Sequence, residues 1–144
     1  MGSHTTGEGL DALFLRRMAV GLDRGAASVV RGHGLTVDQW RMLDLLAVSG
    51  PLPMAALCEE LSLAGATATR VADRLVDEEL ARRSVDDNDR RRVVLRVTGN
   101  GRDLRADLAE QVEQAQREQW ANLGGADHER LAQLLRAAAG FQAQ

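Results

Sequence analysis

Residues 84–98 read SVDDNDRRRVVLRVT. Three aspartates occupy four consecutive positions and three arginines follow directly, in a chain whose formal net charge is only -3. The hydrophobic period also changes here. Val93, Leu95 and Val97 alternate with Val94, Arg96 and Thr98, which is the period-two pattern of a strand with one buried face. Upstream, residues 81–85 supply an antiparallel partner, and the DDND between them is rich in side chains that bond their own backbone in turns. The stretch predicts a β-hairpin whose tip carries Asp86, Asp87, Asn88, Asp89 and Arg90, with Arg91 and Arg92 leaving it.

Around the hairpin the pattern is helical. Leu10, Phe14, Met18 and Leu22 recur at i, i+4 with Leu13 beside them, which predicts a long amphipathic helix over 8–31, ended by RGHG. Thr36 and Gln39 form a T-x-x-Q capping box ahead of Trp40, Leu43, Leu46 and Ala47, and Gly50 and Pro51 stop that second helix. Pro53 suits the first position of a short third helix with Met54, Leu57, Cys58 and Leu61 inside. After a turn at 62–65, Ala68, Val71, Ala72 and Leu75 mark the inner face of a fourth helix running to about residue 79. Leu104, Leu108, Val112 and Ala115 continue helically from Thr98 towards Leu123, Gly124 and Gly125 break the chain, and a last helix carries Leu131, Leu134, Leu135, Ala138 and Phe141. The GNG at 99–101 reads as a turn opening the fifth helix.

Composition bounds the function. At 144 residues and 44% apolar content the chain is sized for one domain with a real core. No apolar run approaches the roughly 20 residues that cross a bilayer, and no signal-peptide pattern opens the chain, so a cytoplasmic protein away from membranes is expected. One cysteine, Cys58, cannot form an internal disulfide and agrees with a reducing compartment. The opening MGSH resembles a cloning scar and is left out of the fold reading. All 18 basic residues are arginine, and lysine, isoleucine and tyrosine are absent, as expected of a GC-rich bacterial genome. The sequence holds no G-x-S-x-G, no P-loop and no G-x-G-x-x-G, which leaves an enzyme the least supported class. His33 and His128 lack ligand-spaced partners, and neither a metal nor a cofactor is expected.

Helix, short turn, helix and charged hairpin together describe a winged helix, and SVDDNDRRRVVLRVTGNG resembles the wing of MarR-type transcription regulators. In that pattern, D-x-R precedes an alternating strand that ends in Leu-Thr, with a glycine beyond. Asp89 and Arg91 match D-x-R, Val97 stands for the usual leucine, and Thr98 and Gly101 match. LTVDQW at 35–40 resembles the start of the family's second helix, and LSLAGATATRVADRL at 61–75 resembles its recognition segment, most clearly at Thr69, Arg70, Asp73, Arg74 and Leu75. Two positions depart from the pattern. Ala64 stands where a capping serine is common, and Glu79 stands where glycine usually leaves the helix in the left-handed conformation.

The resemblance implies a mainly α fold with a small β-wing, in which a winged helix-turn-helix lobe joins a helical dimerisation region. Residues 5–34 would form the N-terminal dimerisation helix, 35–98 the DNA-binding region and 99–144 the C-terminal dimerisation helices of one intertwined domain. It also implies a homodimeric repressor clasping a pseudo-palindromic double-stranded DNA operator. Thr67, Arg70 and Arg74, at i, i+3 and i+7, share the face opposite Ala68, Val71 and Leu75 and would enter the major groove, with Thr69 beside them. Arg91 would enter the minor groove, held across the hairpin by Asp89, while Arg90 and Arg92 meet phosphates. Without the resemblance, the same arginines read as a solvated turn with weak surface ion pairs.

Members of the family are often released from DNA by small aromatic ligands lodged between the dimer helices and the lobe. That places Trp40 as a wall residue, with Arg16 or His33 as partners for an anionic group; Trp40 packing the helix junction is the plainer role. Cys58 reads as an apolar filler, with a redox-responsive regulator as the rival, and a winged-helix protein-interaction module is the rival outside gene regulation.

Overall fold

The structure, a computed structural model, describes residues 10–121 and 123–140. Helix α1 spans Ala12–Val30. Its start differs from the expected residue 8, since Asp11 takes the cap and accepts from the Phe14 N–H at 2.7 Å. Residues 5–9 of the expected N-terminal region, and Phe141 of the last helix, lie outside the described residues. A single 3₁₀ turn, Arg31–His33, carries the chain into Gly34 in the left-handed conformation.

Helix α2 spans Val37–Ser49 and begins with the expected capping box: the Gln39 N–H donates to Thr36 Oγ1 at 3.2 Å, and the Thr36 N–H donates to Gln39 Oε1 at 2.8 Å. Two helix-start donors are thereby satisfied by one local motif, a device whose loss costs about 1 kcal/mol. Helix α3 is Met54–Leu61, with Pro53 as its cap rather than its first residue. Helix α4 is Gly65–Asp77, two residues shorter than expected, because Glu79 adopts φ 59° and turns the chain out.

Strands β1 (Ala81–Val85) and β2 (Val93–Val97) pair antiparallel, Ala81 opposite Val97 and Val85 opposite Val93. The expected alternation along β2 fails at its first two positions: Val93 is exposed, and Val94 is buried almost as fully as Leu95. The strand also has a neighbour outside the hairpin. Leu52, between α2 and α3, exchanges both backbone hydrogen bonds with Leu95, so β2 is flanked on its second edge as well.

Helix α5 spans Gly99–Arg117, and its cap is Thr98, whose hydroxyl accepts from the Gly101 N–H at 3.0 Å. Gly99 to Gly101 therefore form the first helical turn, not a loop ahead of it. A 3₁₀ turn, Glu118–Trp120, ends α5 short of Leu123, and α6 follows as Gly125–Ala138.

The core lies where α2, α4, the hairpin and the middle of α5 converge: Met42, Leu43, Leu46, Leu57, Leu75, Leu95 and Leu108 are enclosed almost completely. Helix α1 joins it only through its last turns, at Ala26 and Val30. Its first half presents Leu13, Phe14, Leu15 and Val20 to solvent, and α6 has no buried residue. No helix among the described residues is long and apolar enough to cross a membrane.

Candidate nucleic-acid interface

Helix α4 owes its orientation to Ala68, Val71, Ala72 and Leu75, all buried against the core. Its opposite side must therefore face outward, and there Thr69, Arg70 and Arg74 are exposed and Thr67 is half-buried. Arg70 Nη2 reaches Thr67 Oγ1 at 3.3 Å, one turn back along the same face. Arg74 is shared with Glu78 at 3.4 Å. The Thr69 hydroxyl donates to the Gly65 carbonyl at 2.9 Å, so its donor is engaged within the helix and its methyl and acceptor lone pairs remain. Ala64 caps the helix with no side-chain bond, leaving the first N–H groups of α4 without an internal side-chain acceptor.

The corner between α4 and the wing explains the Thr-Gly pair that ends the hairpin motif. Thr98 Oγ1 donates to the Glu79 carbonyl at 2.6 Å while the Thr98 N–H donates to the Leu80 carbonyl at 3.1 Å. One residue thus caps α5 and ties it to the exit of α4. A side chain at Gly101 would place its Cβ 2.1 Å from the Leu80 carbonyl oxygen, so only glycine permits this approach. The positive φ of Glu79, which strains any residue with a Cβ, is held in place by these bonds and by Leu80 N–H donating to Leu75 O at 2.9 Å.

Asp73, on the outer side of α4, accepts from Arg83 of β1 and links the helix to the hairpin. Neither residue's part in this link was visible as periodicity, since it joins positions ten apart through the α4 exit. Charge offered a faint signal. Arg82 and Arg96 are directly opposite in the register, an unfavourable pairing that Arg96 relieves by reaching Ser84 Oγ at 3.3 Å and Asp87 Oδ2 at 3.2 Å.

The tip itself is a short sequence of backbone-locking bonds. Asp86 N–H donates to Arg92 O and Arg92 N–H to Asp89 O, both at 2.9 Å, while Asp86 Oδ1 accepts from the Asn88 N–H. Asp89 Oδ1 accepts from the Arg91 N–H at 3.0 Å, with the Arg91 Nε at 3.5 Å. This differs from the expectation of an Asp89–Arg91 bridge across the hairpin: two residues apart, they meet within the tip, and the pair that crosses is Arg96–Asp87. Arg91 stays 94% exposed, and Arg90 and Arg92 are exposed with no acidic partner among the described residues. Asp89 shapes the backbone that presents Arg91 and leaves its guanidinium exposed to solvent.

The residues expected to hold a small ligand are only partly gathered. Trp40 is buried at a cleft of about 340 Å³ between α1, α2, α5 and the end of α3, whose walls include Ala26, Val37, Leu45, Val48 and Leu61. Arg16 and His33 do not line it. Arg16 is exposed on α1, about 10 Å along the axis from Asp23, the α1 residue at the cleft. His33 is exposed on the 3₁₀ turn. The cation that does line the cleft is Arg41. Cys58 is half-buried and packs against the core from α3, as an apolar filler would. No group of three His, Cys, Asp or Glu among the described residues could hold a metal ion.

Comparison with known proteins agrees with this architecture. Residues 33–92 match the sequence model of the MarR family. The HTH-type transcriptional regulator FarR of Neisseria gonorrhoeae is 32% identical over 86 residues, a match spanning 60% of this chain and 59% of FarR. A probable transcriptional regulator from Pseudomonas aeruginosa is similar in structure with a TM-score of 0.71 and 29% identity, covering 87% of this chain and 93% of that one. BpsR of Bordetella bronchiseptica, whose DNA binding is regulated by 6-hydroxynicotinic acid, has the same fold, with a TM-score of 0.77 at 24% identity over 99% of this chain and all of its own. The match begins at the turn before α2 and ends at the wing arginines, so residues 33–92 resemble the MarR-family winged helix-turn-helix, in a chain that shares the fold of BpsR almost from end to end.

Proposed function

We propose that the chain is a DNA-binding transcription regulator, a cytoplasmic repressor that clasps a pseudo-palindromic operator as a homodimer. The observation that carries this reading is the wing tip, where aspartate-to-backbone bonds set a turn from which Arg90, Arg91 and Arg92 stand exposed, Arg91 in long contact with Asp89 only. Surface arginines that only needed solvation would not require such a tip. Arg91 is assigned to the minor groove, Arg90 and Arg92 to phosphates, and Arg70 with Thr67 and Thr69 to base edges in the major groove, where Arg74 meets the backbone. Asp73 and Arg83 keep helix and wing in one frame.

Dimerisation is supported by the apolar residues left uncovered on the two terminal segments. Leu13, Phe14, Leu15 and Val20 on α1 and Leu134 on α6 are large apolar residues that the described residues of one chain leave exposed. A second copy using the same elements would cover them and set the spacing of two recognition helices. Residues 5–34 and 99–144 serve this interface in the proposal, and residues 35–98 serve DNA.

Control is assigned to the Trp40 cleft, at the junction of the α1–α5 stalk and the lobe. BpsR, with the same fold, is regulated by a small aromatic molecule, which supports a small aromatic effector here. Fluorescence anisotropy with the gene's own promoter region, alongside light scattering, tests the reading: a dimer binding one duplex in a salt-dependent way is expected. Affinity for that duplex no greater than for a scrambled one would overturn it.

A further inference from the structure

We infer that the Trp40 cleft takes a small aromatic amine rather than an aromatic acid, its ring among the apolar walls and its ammonium on Asp23 and Asp44. This inference rests on the regulator reading above and names a ligand class for it. Among the residues lining the cleft, Asp23 and Asp44 stand against a single guanidinium, that of Arg41. Arg41 is already committed at both ends, Nη2 to Asp23 and Nη1 to Asp38 at 3.4 Å. Arg105 of α5 donates through Nε to Asp44 at 2.9 Å. Both guanidinia bonded to the cleft's aspartates are thus turned to carboxylates the chain itself supplies.

An acid entering here would have to break one of these pairs and then lie beside the aspartate it displaced. Like charges brought together away from bulk water repel strongly. An ammonium meets the reverse situation. An ionised carboxylate offers two oxygens and about four acceptor sites. Asp23 and Asp44 each use Oδ1 for their arginine, and among the described residues no donor reaches the Oδ2 of either. Both side chains are about two-fifths exposed, open to the cleft rather than sealed beneath it. Of the remaining walls, Ala26, Val37, Trp40, Leu45, Val48 and Leu61 are apolar and Gln116 of α5 is a neutral amide. At about 340 Å³ the space sits at the small end of the usual range for ligand sites, enough for one ring and a short chain.

The same two pairs give the ligand a route to the DNA-binding face. Arg41–Asp23 joins α2 to α1, and Arg105–Asp44 joins α5 to α2, so together they clasp the first helix of the lobe to the stalk. An amine competing for these aspartates loosens the clasp. It releases DNA only in so far as it prefers the loosened arrangement, since equal affinity for both states shifts nothing.

Calorimetry on the intact protein with three probes of matched size tests this: 3-phenylpropylamine, 3-phenylpropanol and 3-phenylpropionate. Affinity should fall in the order amine, alcohol, acid, with the amine about tenfold tighter than the alcohol. Asp44→Asn, which keeps an amide oxygen for Arg105, should lose about that tenfold for the amine and leave the alcohol unchanged. Asp23→Asn provides the same check from α1, and circular dichroism confirms that both variants fold. An acid binding as tightly as the amine, no binding by any probe, or an amine affinity indifferent to both substitutions would overturn the assignment. Operator binding by the ligand-free protein is measured separately. Its absence beside the amine-first order would defeat the regulator reading alone, whereas DNA binding beside an acid-first order would defeat only the ligand class.

Discussion

In the lobe built from α2, α3, α4 and the hairpin, Leu46, Leu57, Leu75 and Leu95 are enclosed to within about one part in a hundred, while on the stalk Phe14 and Leu134 remain 47% and 60% exposed. Both regions are built mainly from amphipathic helices. What differs is closure. The lobe has a helix on each side of its core, a hairpin over the end and the Leu52 bridge along the free edge of β2. The stalk has α1 against α5, brought close where Gly25 meets the Ala115 backbone, and its Phe14 and Leu134 are left uncovered by the described residues. The core of the lobe, closed with the help of α5 and the last turns of α1, is complete within one chain, whereas the stability of an uncovered surface rises with the concentration of what binds it.

The comparison breaks most readily in the lobe. Leu75→Ala removes a fully buried side chain on the inner face of α4, and truncations of this kind cost about 2–5 kcal/mol because the surroundings collapse only partly. Urea unfolding should show a loss in that range that is independent of protein concentration. A loss that varied strongly with concentration would mean that the lobe, like the stalk, depends on a partner.

In the stalk the matching change is Phe14→Asp. No internal core is lost, so folding of the lobe should be unaffected, but a charge would lie in the proposed dimer seam. Sedimentation equilibrium should show dimer affinity weakened by about 2 kcal/mol or more, the scale of an interface anchor. An intact chain that stays monomeric at micromolar concentration would sink the two-copy explanation of the exposed stripe.

Within the lobe, the wing separates stability from binding. Arg91→Ala should cost about 1–3 kcal/mol of operator affinity and leave unfolding unchanged, since its side chain touches little but Asp89. Asp89→Ala is the sharper test. Removing an acid beside phosphates should tighten binding on electrostatic grounds alone, whereas loss of the bond to the Arg91 N–H should weaken it. Weakened binding by the alanine variant, restored in part by Asp89→Asn, is expected; tighter binding would refute the positioning role.

Legibility in the sequence follows the range of the forces involved. The hairpin strands, the Thr36–Gln39 box and the inner face of α4 could be placed from neighbours within four residues, and the structure has them there. The Leu52–Leu95 bridge, Asp73–Arg83 and the composition of the Trp40 cleft could not. Each depends on segments that meet only after folding: Leu52 against β2, α4 against β1, and the level at which α1 crosses α2. Arg16 was chosen by charge, and its height along α1 keeps it from the lining of the Trp40 cleft. The outward-facing arginines of α4 were legible because exposure opposite a buried face is itself a local property.

The smallest expected effect lies at the corner between the recognition helix and the wing. Glu79 holds φ 59°, a conformation that crowds Cβ against the backbone and that glycine adopts without strain. Its side chain is exposed, and its carbonyl and N–H are the groups that bond Thr98 and Val76. Glu79→Gly therefore removes strain and no contact, while adding flexibility to the unfolded chain that offsets part of the gain. A net stabilisation of about 0.5–1 kcal/mol is expected in urea. Operator affinity should stay the same, because Thr98, Gly101 and the Asp73–Arg83 pair fix the helix-to-wing angle without help from residue 79. A more stable variant with altered operator affinity would show that the strained corner itself tunes the wing. A less stable one would mean that the Thr98 bonds alone cannot hold the turn.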